Sequence, residues 1–374
     1  MIKIICPRCG NEDPTLFGKR NREIYCRACI SFRCKQAHIP RHIKPKDVEP
    51  RIDYELSKKQ QKLASKITEA KKDIYVNAVC GSGKTEMVFQ SINKAIKQGY
   101  RVGFIIPRKE VVKEISERLK SVYPTLNIAA VYGGHNKDLD GDIIVLTAHQ
   151  AYRYPQKFGL LIVDEYDAFP LRGNQTLLRL IQKTCYGKKI YLSATFSDQE
   201  LIGKEKLELN RRYHSFDLPI PKVYIGNRIS GFYRLLIFIK KNKEKPIFIY
   251  VPTIKKGFKL CLLLRLFLLQ PLFFHSQSDD KERKFADIKN QKEKLVVTTT
   301  ILERGITLVD LQIVVYEAAN ELFDYRTLIQ IAGRVGRKKE APLGQVLFLA
   351  THTTIDIERA IKEIVDKNNR FLYA

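Results

Sequence analysis

The sequence lacks a hydrophobic run long enough to span a membrane. Its most apolar stretch, residues 260–274, falls short of the ~20 residues of a spanning helix and contains Arg265, Gln270 and Pro271. We interpret it as a buried helix ending near Gln270, followed by a strand over 272–275. The opening MIKIICPRCG turns polar too early for a secretory signal peptide. We therefore expect a soluble, cytoplasmic protein.

Acidic residues are too few to balance the basic ones. The 66 Lys and Arg residues face 40 Asp and Glu residues, which gives a formal net charge of +26. Such an excess favours an anionic polymer as partner, because each neutralised phosphate releases counterions. Nucleic acid is the favoured interpretation, although a membrane surface or a ribosome would also suit the charge. Tryptophan is absent, so stacking on bases would need some of the 19 Phe and 18 Tyr residues.

The chain has eight cysteines, and in a reducing compartment we expect metal ligands or plain thiols rather than disulfides. Two C-x2-C pairs separated by sixteen residues match the spacing of a closed four-cysteine zinc site. Zinc would supply the folding energy that so short a segment, residues 1–47, cannot obtain from a core. The predicted Zn²⁺ ligands are Cys6, Cys9, Cys26 and Cys29. Cys34 and His38 follow closely and could compete as ligands, but the favoured interpretation is that they are spare polar residues at the edge of the unit.

This N-terminal segment is also basic, since residues 1–51 hold twelve Lys or Arg against five acids. The charge predicts contact with phosphates, with a solvated basic surface as the alternative. The sequence leaves open whether the segment contacts nucleic acid or a protein.

A phosphate-binding loop is predicted at AVCGSGKT, residues 78–85. A short apolar run precedes it, and an amphipathic helix follows up to Gly99. Gly81 and Gly83 would let the backbone wrap around phosphates, where a side chain would obstruct it. Lys84 would place a charge on the outer phosphates, and the Thr85 hydroxyl would complete a Mg²⁺ shell.

From residue 48 onward, apolar strands alternate with helices, which predicts parallel sheets with chemistry at the carboxyl ends of the strands. The alternation of apolar strands with helices becomes irregular over residues 205–221, so we place a linker there. The predicted fold is therefore α/β, with a zinc-binding unit (1–47) and two parallel-sheet domains (48–208 and 209–374).

Charged residues follow predicted strands or helices at two further places. Asp164 and Glu165 end an apolar strand, where the first could hold Mg²⁺ and the second could orient and deprotonate the attacking water. Arg334 and Arg337 lie in a glycine-containing turn and suit a γ-phosphate bound across a cleft. Because the second domain has no phosphate loop, we expect one nucleotide shared by the two sheets.

Together, the segments AVCGSGKT, DEYD, SAT, TTTILERG and QIAGRVGR resemble a superfamily 2 helicase or translocase over residues 50–374. With the N-terminal cysteine pairs, LSKKQ, DEYDAFP and HSQS, the chain resembles the ComFA family of late competence ATPases. This resemblance implies two RecA-like domains and an ATP-driven motor on incoming single-stranded DNA. It also implies ComFC, DprA and the channel ComEC as partners, and a place beneath the membrane.

The resemblance also implies roles for residues in this sequence. Gln60 would contact adenine, and the motor would couple hydrolysis to domain closure through Ser193, Ala194 and Thr195. Further nucleotide contacts are implied at Ser82, Glu86 and Gly305. The DNA backbone would follow Pro107, Arg108, Gly133, Gly134, Thr147, Thr298, Thr299 and Thr300.

Two other functions remain open at this point. A replication-restart helicase resembling PriA also combines cysteine pairs with such motor sequences, but there the zinc lies within the second motor region. A non-motor, zinc-bearing DNA-binding scaffold would use its nucleotide site only as a switch. Intact Lys84, Glu165, Arg334 and Arg337 argue against the scaffold.

Overall fold

The computed structural model of the protein describes residues 4–21, 23–32, 35–135, 137–196, 198–300 and 307–369. The chain divides into two compact units. The first comprises Met1–Ala78 and Gly83–Glu208, and the second comprises Val79–Ser82 and Leu209–Ala374. Within the described residues, no helix combines the length and the apolar character required to cross a bilayer.

The N-terminal half of the chain begins with a small hairpin and continues as alternating strands and helices. In order, its helices and strands are β1 (Phe17–Arg20), β2 (Glu23–Cys26), α1 (Lys58–Glu69), β3 (Ile74–Ala78), α2 (Lys84–Met87), α3 (Phe89–Lys97), β4 (Val102–Ile106), α4 (Lys109–Val122), β5 (Ile128–Val131), β6 (Ile143–Thr147), β7 (Phe158–Val163), α5 (Gln175–Thr184), β8 (Cys185–Ser193), α6 (Asp198–Leu201) and β9 (Glu205–Leu209). Short 3-10 helices cover Pro14–Leu16 and Ala148–Arg153.

The C-terminal half repeats the alternation without a phosphate loop of its own among its described residues. Its elements are β10 (Lys222–Ile225), α7 (Arg228–Lys241), β11 (Ile247–Tyr250), α8 (Ile254–Leu266), β12 (Leu272–Phe274), α9 (Lys281–Lys289), β13 (Leu295–Thr298), β14 (Gln312–Tyr316), α10 (Tyr325–Ala332), β15 (Val346–Ala350) and α11 (Ile355–Asn369).

The described part of the first unit contains a seven-stranded sheet in the order β5-β6-β4-β7-β8-β3-β9. The pairs from β5 through to β3 are parallel, so their carboxyl ends lie at one edge. All residues of β4, β6 and β7 are buried, as expected for strands covered on both faces.

The second unit has a six-stranded sheet, counted over its described residues, in the order β10-β15-β14-β11-β13-β12. Every pairing in it is parallel. Apolar side chains from both faces of β11, β14 and β15 form its core. The predicted class, α/β with two parallel sheets, is confirmed.

Three local predictions need correction. The helix after the phosphate loop is interrupted at Val88, which separates α2 from α3. Residues 205–209 form edge strand β9 rather than linker. α8 ends at Leu266, and its surface is only partly buried, because Leu262, Leu263 and Leu266 are exposed.

Candidate nucleotide, nucleic-acid and metal sites

The phosphate loop follows β3 and ends where α2 begins at Lys84. Gly81 and Gly83 have φ angles of +80° and +79°, a region that residues with a Cβ adopt at a cost of about 1–2 kcal/mol. A Cβ on Gly83 would also lie 2.5 Å from Nε2 of Gln60. The loop conformation therefore requires the glycine at 83 for two independent reasons.

Gln60 lies in the first turn of α1 and is buried. Its Oε1 accepts a hydrogen bond from the backbone N–H of Ser57 at 2.9 Å, and Ser57 Oγ accepts from the N–H of Gln60 at 3.3 Å. This capping box fixes the side chain, so that its amide nitrogen lies against Gly83. The predicted adenine-contacting residue thus also caps the N-terminus of its own helix and borders the phosphate loop.

Glu86 forms an ion pair with Arg118 of α4 and accepts a hydrogen bond from the Tyr54 hydroxyl at 3.1 Å. Arg118 also donates to that hydroxyl at 3.1 Å. Burial opposes the charge of Arg118, but Glu86 and Tyr54 together outweigh it and raise the pKa of the guanidinium. Tyr54 and Arg118 were not predicted, because nothing in their sequence positions relates them to Glu86.

The two acids after β7 adopt different environments. Asp164 is buried, and its backbone N–H donates to the carbonyl of Ile105 on the adjacent strand at 2.9 Å. Glu165 is partly exposed at a φ of +53°, with its N–H bonded to Asp164 Oδ1 at 2.8 Å. Carboxylates are the ligands that Mg²⁺ prefers, so Asp164 and its neighbour provide suitable donors for that ion.

Residues 193–195, at the end of β8, connect to the acidic segment. The Thr195 hydroxyl donates to Asp167, and the Thr195 N–H donates to Ser193 Oγ at 2.9 Å. Ser193, Ala194, Thr195 and Asp167 are all buried. The ends of neighbouring strands β7 and β8 are therefore joined by a side-chain hydrogen bond in the interior.

The predicted DNA-contacting residues of the first unit follow three adjacent strands. Pro107 and Arg108 follow β4, Gly133 and Gly134 follow β5, and Thr147 ends β6. Pro107 and Thr147 are buried, whereas the two glycines form an exposed turn with open space around them. The sheet order places this group on β5-β6-β4 and the phosphate loop, the acids and residues 193–195 on β7-β8-β3.

In the second unit, Thr298 ends β13 in a buried position, and Thr299 and Thr300 follow it half-buried. Gly305 lies outside the residues that the structure describes. Arg334 is buried in the turn after α10, while Arg337 is partly exposed and donates from Nε to the Gly333 carbonyl at 3.1 Å. Gly336 adopts the left-handed backbone conformation in this turn, with a φ angle of +68°.

Cys6, Cys9, Cys26 and Cys29 form one buried cluster whose sulfurs lie within 4.8 Å of one another. The Sγ atoms of Cys6 and Cys29 are 3.8 Å apart, and those of Cys9 and Cys26 are 3.7 Å apart. A tetrahedral zinc with Zn–S distances near 2.3 Å requires an edge of about 3.8 Å, so the four thiols fit that ion. Cys34 lies outside the described residues, and His38 is exposed and is not part of the cluster.

Backbone N–H groups in the first C-x2-C pair favour the thiolate form of Cys6. Burial raises the pKa of Cys6, but N–H groups of Cys9 and Arg8 outweigh it and lower that pKa to about 7. Burial raises the pKa of Cys9 and of Cys29. A metal cation would offset this burial penalty, since it binds the deprotonated form.

The cysteine cluster packs against α5 and neighbouring residues of the first unit. It shares a hydrophobic cluster with Leu180 of α5 and with Tyr152. Lys183 of α5 donates to the Pro7 carbonyl at 2.9 Å, and the Arg8 guanidinium lies 4.7 Å from the centre of the Tyr152 ring. The segment therefore gains apolar contacts that its own length could not provide.

Two family profiles match this chain: the DEAD/DEAH box helicase over residues 57–202, and the helicase conserved C-terminal domain over 228–339. The chain also resembles yeast (S. cerevisiae) Dbp5 bound to RNA and ADP BeF3, with a TM-score of 0.64 at 17% identity over 84% of this chain and 88% of that one. That likeness shows a shared fold.

Two competence proteins named ComFA are similar along nearly the whole chain. The protein of Bacillus subtilis (strain 168) is 32% identical over 96% of this chain and 85% of its own length. The protein of Streptococcus pneumoniae (strain ATCC BAA-255 / R6) is 32% identical over 97% of this chain and 90% of its own length. With the two helicase profiles, these matches show that the chain belongs to the ComFA family and is a DNA-dependent ATPase of superfamily 2.

Proposed function

We propose that this ATPase moves along single-stranded DNA and drives the import of transforming DNA into the cytoplasm. One observation carries the proposal: the carboxyl edge of the first sheet holds the candidate DNA-contacting residues on β5-β6-β4 and the candidate nucleotide residues on β7-β8-β3. Within one sheet, a change at the nucleotide residues can therefore alter the grip on DNA. The net charge of +26 supports a polyanionic track.

In the proposed cycle, the backbone of Gly81, Ser82 and Gly83 wraps the phosphates, and Lys84 neutralises their charge. Thr85 and Asp164 would hold Mg²⁺, which when bound would supply positive charge against the phosphate oxygens. Glu165 orients the attacking water and takes its proton. Arg334 and Arg337 contact the γ-phosphate when hydrolysis occurs. Gln60 contacts adenine, and Glu86 and Gly305 complete the nucleotide site.

Coupling is proposed to pass through the hydrogen bond between Thr195 and Asp167. Asp167 lies two residues after Glu165 in the chain, so a shift at the acids on hydrolysis would be felt at Thr195 and at its neighbours Ser193 and Ala194. Loops after β4, β5, β6 and β13 would then tighten or release the DNA backbone. The grip residues in this proposal are Pro107, Arg108, Gly133, Gly134, Thr147, Thr298, Thr299 and Thr300.

The four-cysteine cluster is proposed to hold one structural Zn²⁺. Its packing on α5 supports a role in stabilising the first unit, since α5 connects the acidic segment to β8. Metal analysis of the purified protein should give one zinc per chain, lost when Cys9 and Cys26 are both changed to serine. A fully folded, zinc-free wild-type protein would contradict this assignment.

The proposed partners are single-stranded DNA and the competence proteins ComFC, DprA and the channel ComEC. The proposed location is the cytoplasmic side of the membrane, reached through such partners. Membership of the ComFA family supports these proposals.

The decisive experiment measures ATP turnover without nucleic acid, with single-stranded DNA and with duplex DNA. We expect strong stimulation by single strands, lost in Lys84→Ala and retained in Lys62→Ala, an exposed lysine on α1. ATP-driven displacement of streptavidin from biotinylated single strands should then report movement and its direction.

Three outcomes would overturn the proposal in different ways. Preference for forked or duplex DNA would favour a restart helicase resembling PriA. ATP binding without turnover would favour the non-motor scaffold. Turnover without streptavidin displacement would leave a DNA-dependent ATPase that does not translocate.

A further inference from the structure

The turn that carries Arg334 and Arg337, here called the arginine loop (Gly333–Arg337), is held by a chain segment far away in sequence. Arg212 donates from Nη1 to the carbonyls of Val335 and Gly336, each at 2.7 Å. Its Nη2 donates to the carbonyl of Gly333 at 3.1 Å. One side chain thus fixes three of the five backbone carbonyls of the loop.

Two neighbours of Arg212 contact the same region. His214 Nε2 lies 2.9 Å from the Gly336 carbonyl, and His214 Nδ1 accepts from the Phe216 N–H at 3.2 Å. Because Nδ1 accepts, the hydrogen of the neutral ring is on Nε2, which then donates to Gly336. The Tyr213 hydroxyl accepts from the backbone N–H of Lys339 at 3.1 Å, just beyond the loop. Arg212, Tyr213 and His214 are called the linker clamp below.

The electrostatics of Arg212 suit a positioning role. Its side chain is buried at 3% exposure, and all three of its described hydrogen bonds end on backbone carbonyls. Those carbonyls follow the C-terminal end of α10, where the helix dipole favours a cation. Burial and the charge of Arg337 lower the pKa of Arg212 to about 10, which still leaves it charged at neutral pH.

The clamp is itself anchored to the second unit. Arg211 pairs with Asp217 at 3.2 Å. The backbone N–H and carbonyl of Leu218 both bond to the side chain of Asn368 on α11, at 2.9 and 3.0 Å. The loop also packs closely at Gly336, where a Cβ would lie 2.2 Å from the Pro342 carbonyl and 3.0 Å from Arg212 Nη1.

We propose that the linker clamp, and Arg212 above all, positions Arg334 and Arg337 for phosphoryl transfer. This inference rests on the proposed function, in which those two arginines contact the γ-phosphate. The segment joining β9 to β10 is then part of the catalytic apparatus as well as a covalent connection. Arg212 acts through the arginine loop and not by touching the nucleotide.

The test replaces Arg212 with methionine, which keeps the length of the side chain but removes its donors, or with lysine, which keeps the charge. Arg283→Met, at an exposed position of α9 in the same unit, is the matched control. A displacement of about 1 Å at a catalytic group can lower the rate about 100-fold, so we expect Arg212→Met to lower DNA-stimulated kcat about 10- to 100-fold. The clamp also borders the phosphate loop, since the Tyr213 N–H donates to the Gly81 carbonyl at 3.2 Å. KM for ATP and the affinity for a non-hydrolysable analogue should therefore change less than kcat, and Arg212→Lys should be intermediate.

A double-mutant cycle separates positioning from a general structural effect. In a background that already carries Arg334→Ala and Arg337→Ala, Arg212→Met should lower kcat little further, because the groups that it positions are gone. Equal losses in both backgrounds would overturn the inference. If Arg212→Met lowered the unfolding midpoint too far to assay, Arg212→Lys in the same cycle would give the answer.

The outcomes distinguish this inference from the function on which it rests. If Arg334→Ala and Arg337→Ala leave turnover unchanged, the proposed roles of these arginines are wrong. If both variants lose turnover while Arg212→Met behaves like Arg283→Met, only the positioning role of the clamp is wrong.

Discussion

The phosphate loop and the arginine loop are both glycine-containing turns next to a helix, but they are stabilised differently. The phosphate loop is shaped mainly by its own glycines: Gly81 and Gly83 adopt left-handed φ angles, and Gly83 is the N-cap of α2. One distant contact reaches it, because the Gly81 carbonyl accepts from the Tyr213 N–H at 3.2 Å. The arginine loop has one such glycine, Gly336, and depends on Arg212, which lies 121 residues before Gly333.

This difference follows from what each loop is expected to do. Wrapping phosphates with backbone N–H groups requires conformations that glycine adopts without strain, so the loop shape can be encoded locally. Directing two long arginine side chains requires a backbone held against their flexibility and mutual repulsion. A buried guanidinium that bonds several carbonyls can supply this rigidity.

The largest effect is expected at the acidic residues after β7, which belong to neither loop. Glu165→Gln removes the carboxylate proposed to accept a proton and should lower DNA-stimulated turnover about 10²–10⁴-fold, with affinity for a non-hydrolysable analogue retained. Glu110→Gln, on the exposed face of α4, is the control. Normal turnover in Glu165→Gln would show that another group accepts the proton of the attacking water.

The arginine loop is tested directly by Gly336→Ala. Alanine at φ +68° is strained, and its Cβ would meet the Pro342 carbonyl. We expect kcat to fall about 10- to 100-fold with nucleotide affinity unchanged, because the arginines move while the phosphate loop does not. Gly203→Ala, at φ +69° with open space around it, controls for backbone strain alone. A change confined to affinity would contradict the assignment of this loop to the chemical step.

Gly83→Ala should have the opposite signature in the phosphate loop. Its φ of +79° and the 2.5 Å approach of Gln60 Nε2 predict about 1–2 kcal/mol of strain or more, equivalent to roughly tenfold weaker ATP binding. Gly173→Ala, at φ +74° with nothing nearby, is the matched control. Equilibrium binding of a fluorescent nucleotide measures this change. Unchanged affinity would show that ATP binding by the phosphate loop does not require a glycine at position 83.

The smallest expected effect concerns coupling. Thr195→Val removes the hydrogen bond to Asp167 and should reduce the stimulation of ATPase by DNA several-fold, while leaving basal turnover near wild type. Thr184→Val also removes a buried hydroxyl bond, from Thr184 Oγ1 to the Ile181 carbonyl at 2.7 Å. Both should cost about 1–3 kcal/mol of stability. Reduced stimulation in both variants would show that stability alone explains the effect.

Much of the fold could be predicted because its signals are local. Buried parallel strands appear as apolar runs: the run before the phosphate loop forms β3, and the run that Asp164 and Glu165 end forms β7. Residues 205–209 were assigned to the linker because alternating charges obscure an edge strand that is buried only at Leu209. The break at Val88 carries no glycine or proline to mark it.

The sequence by itself determined where glycines, lysine, acids and cysteines stand relative to strand ends, since a short motif needs only its neighbours. It also determined the four-cysteine cluster, because two pairs at this spacing can surround one metal ion. Only the tertiary structure decided that Gln60 caps its helix beside Gly83, that Arg118 and Tyr54 hold Glu86, and that Arg212 holds the arginine loop. Each of these last two contacts joins residues more than thirty positions apart, and packing brings such residues together without leaving a periodic pattern in the chain.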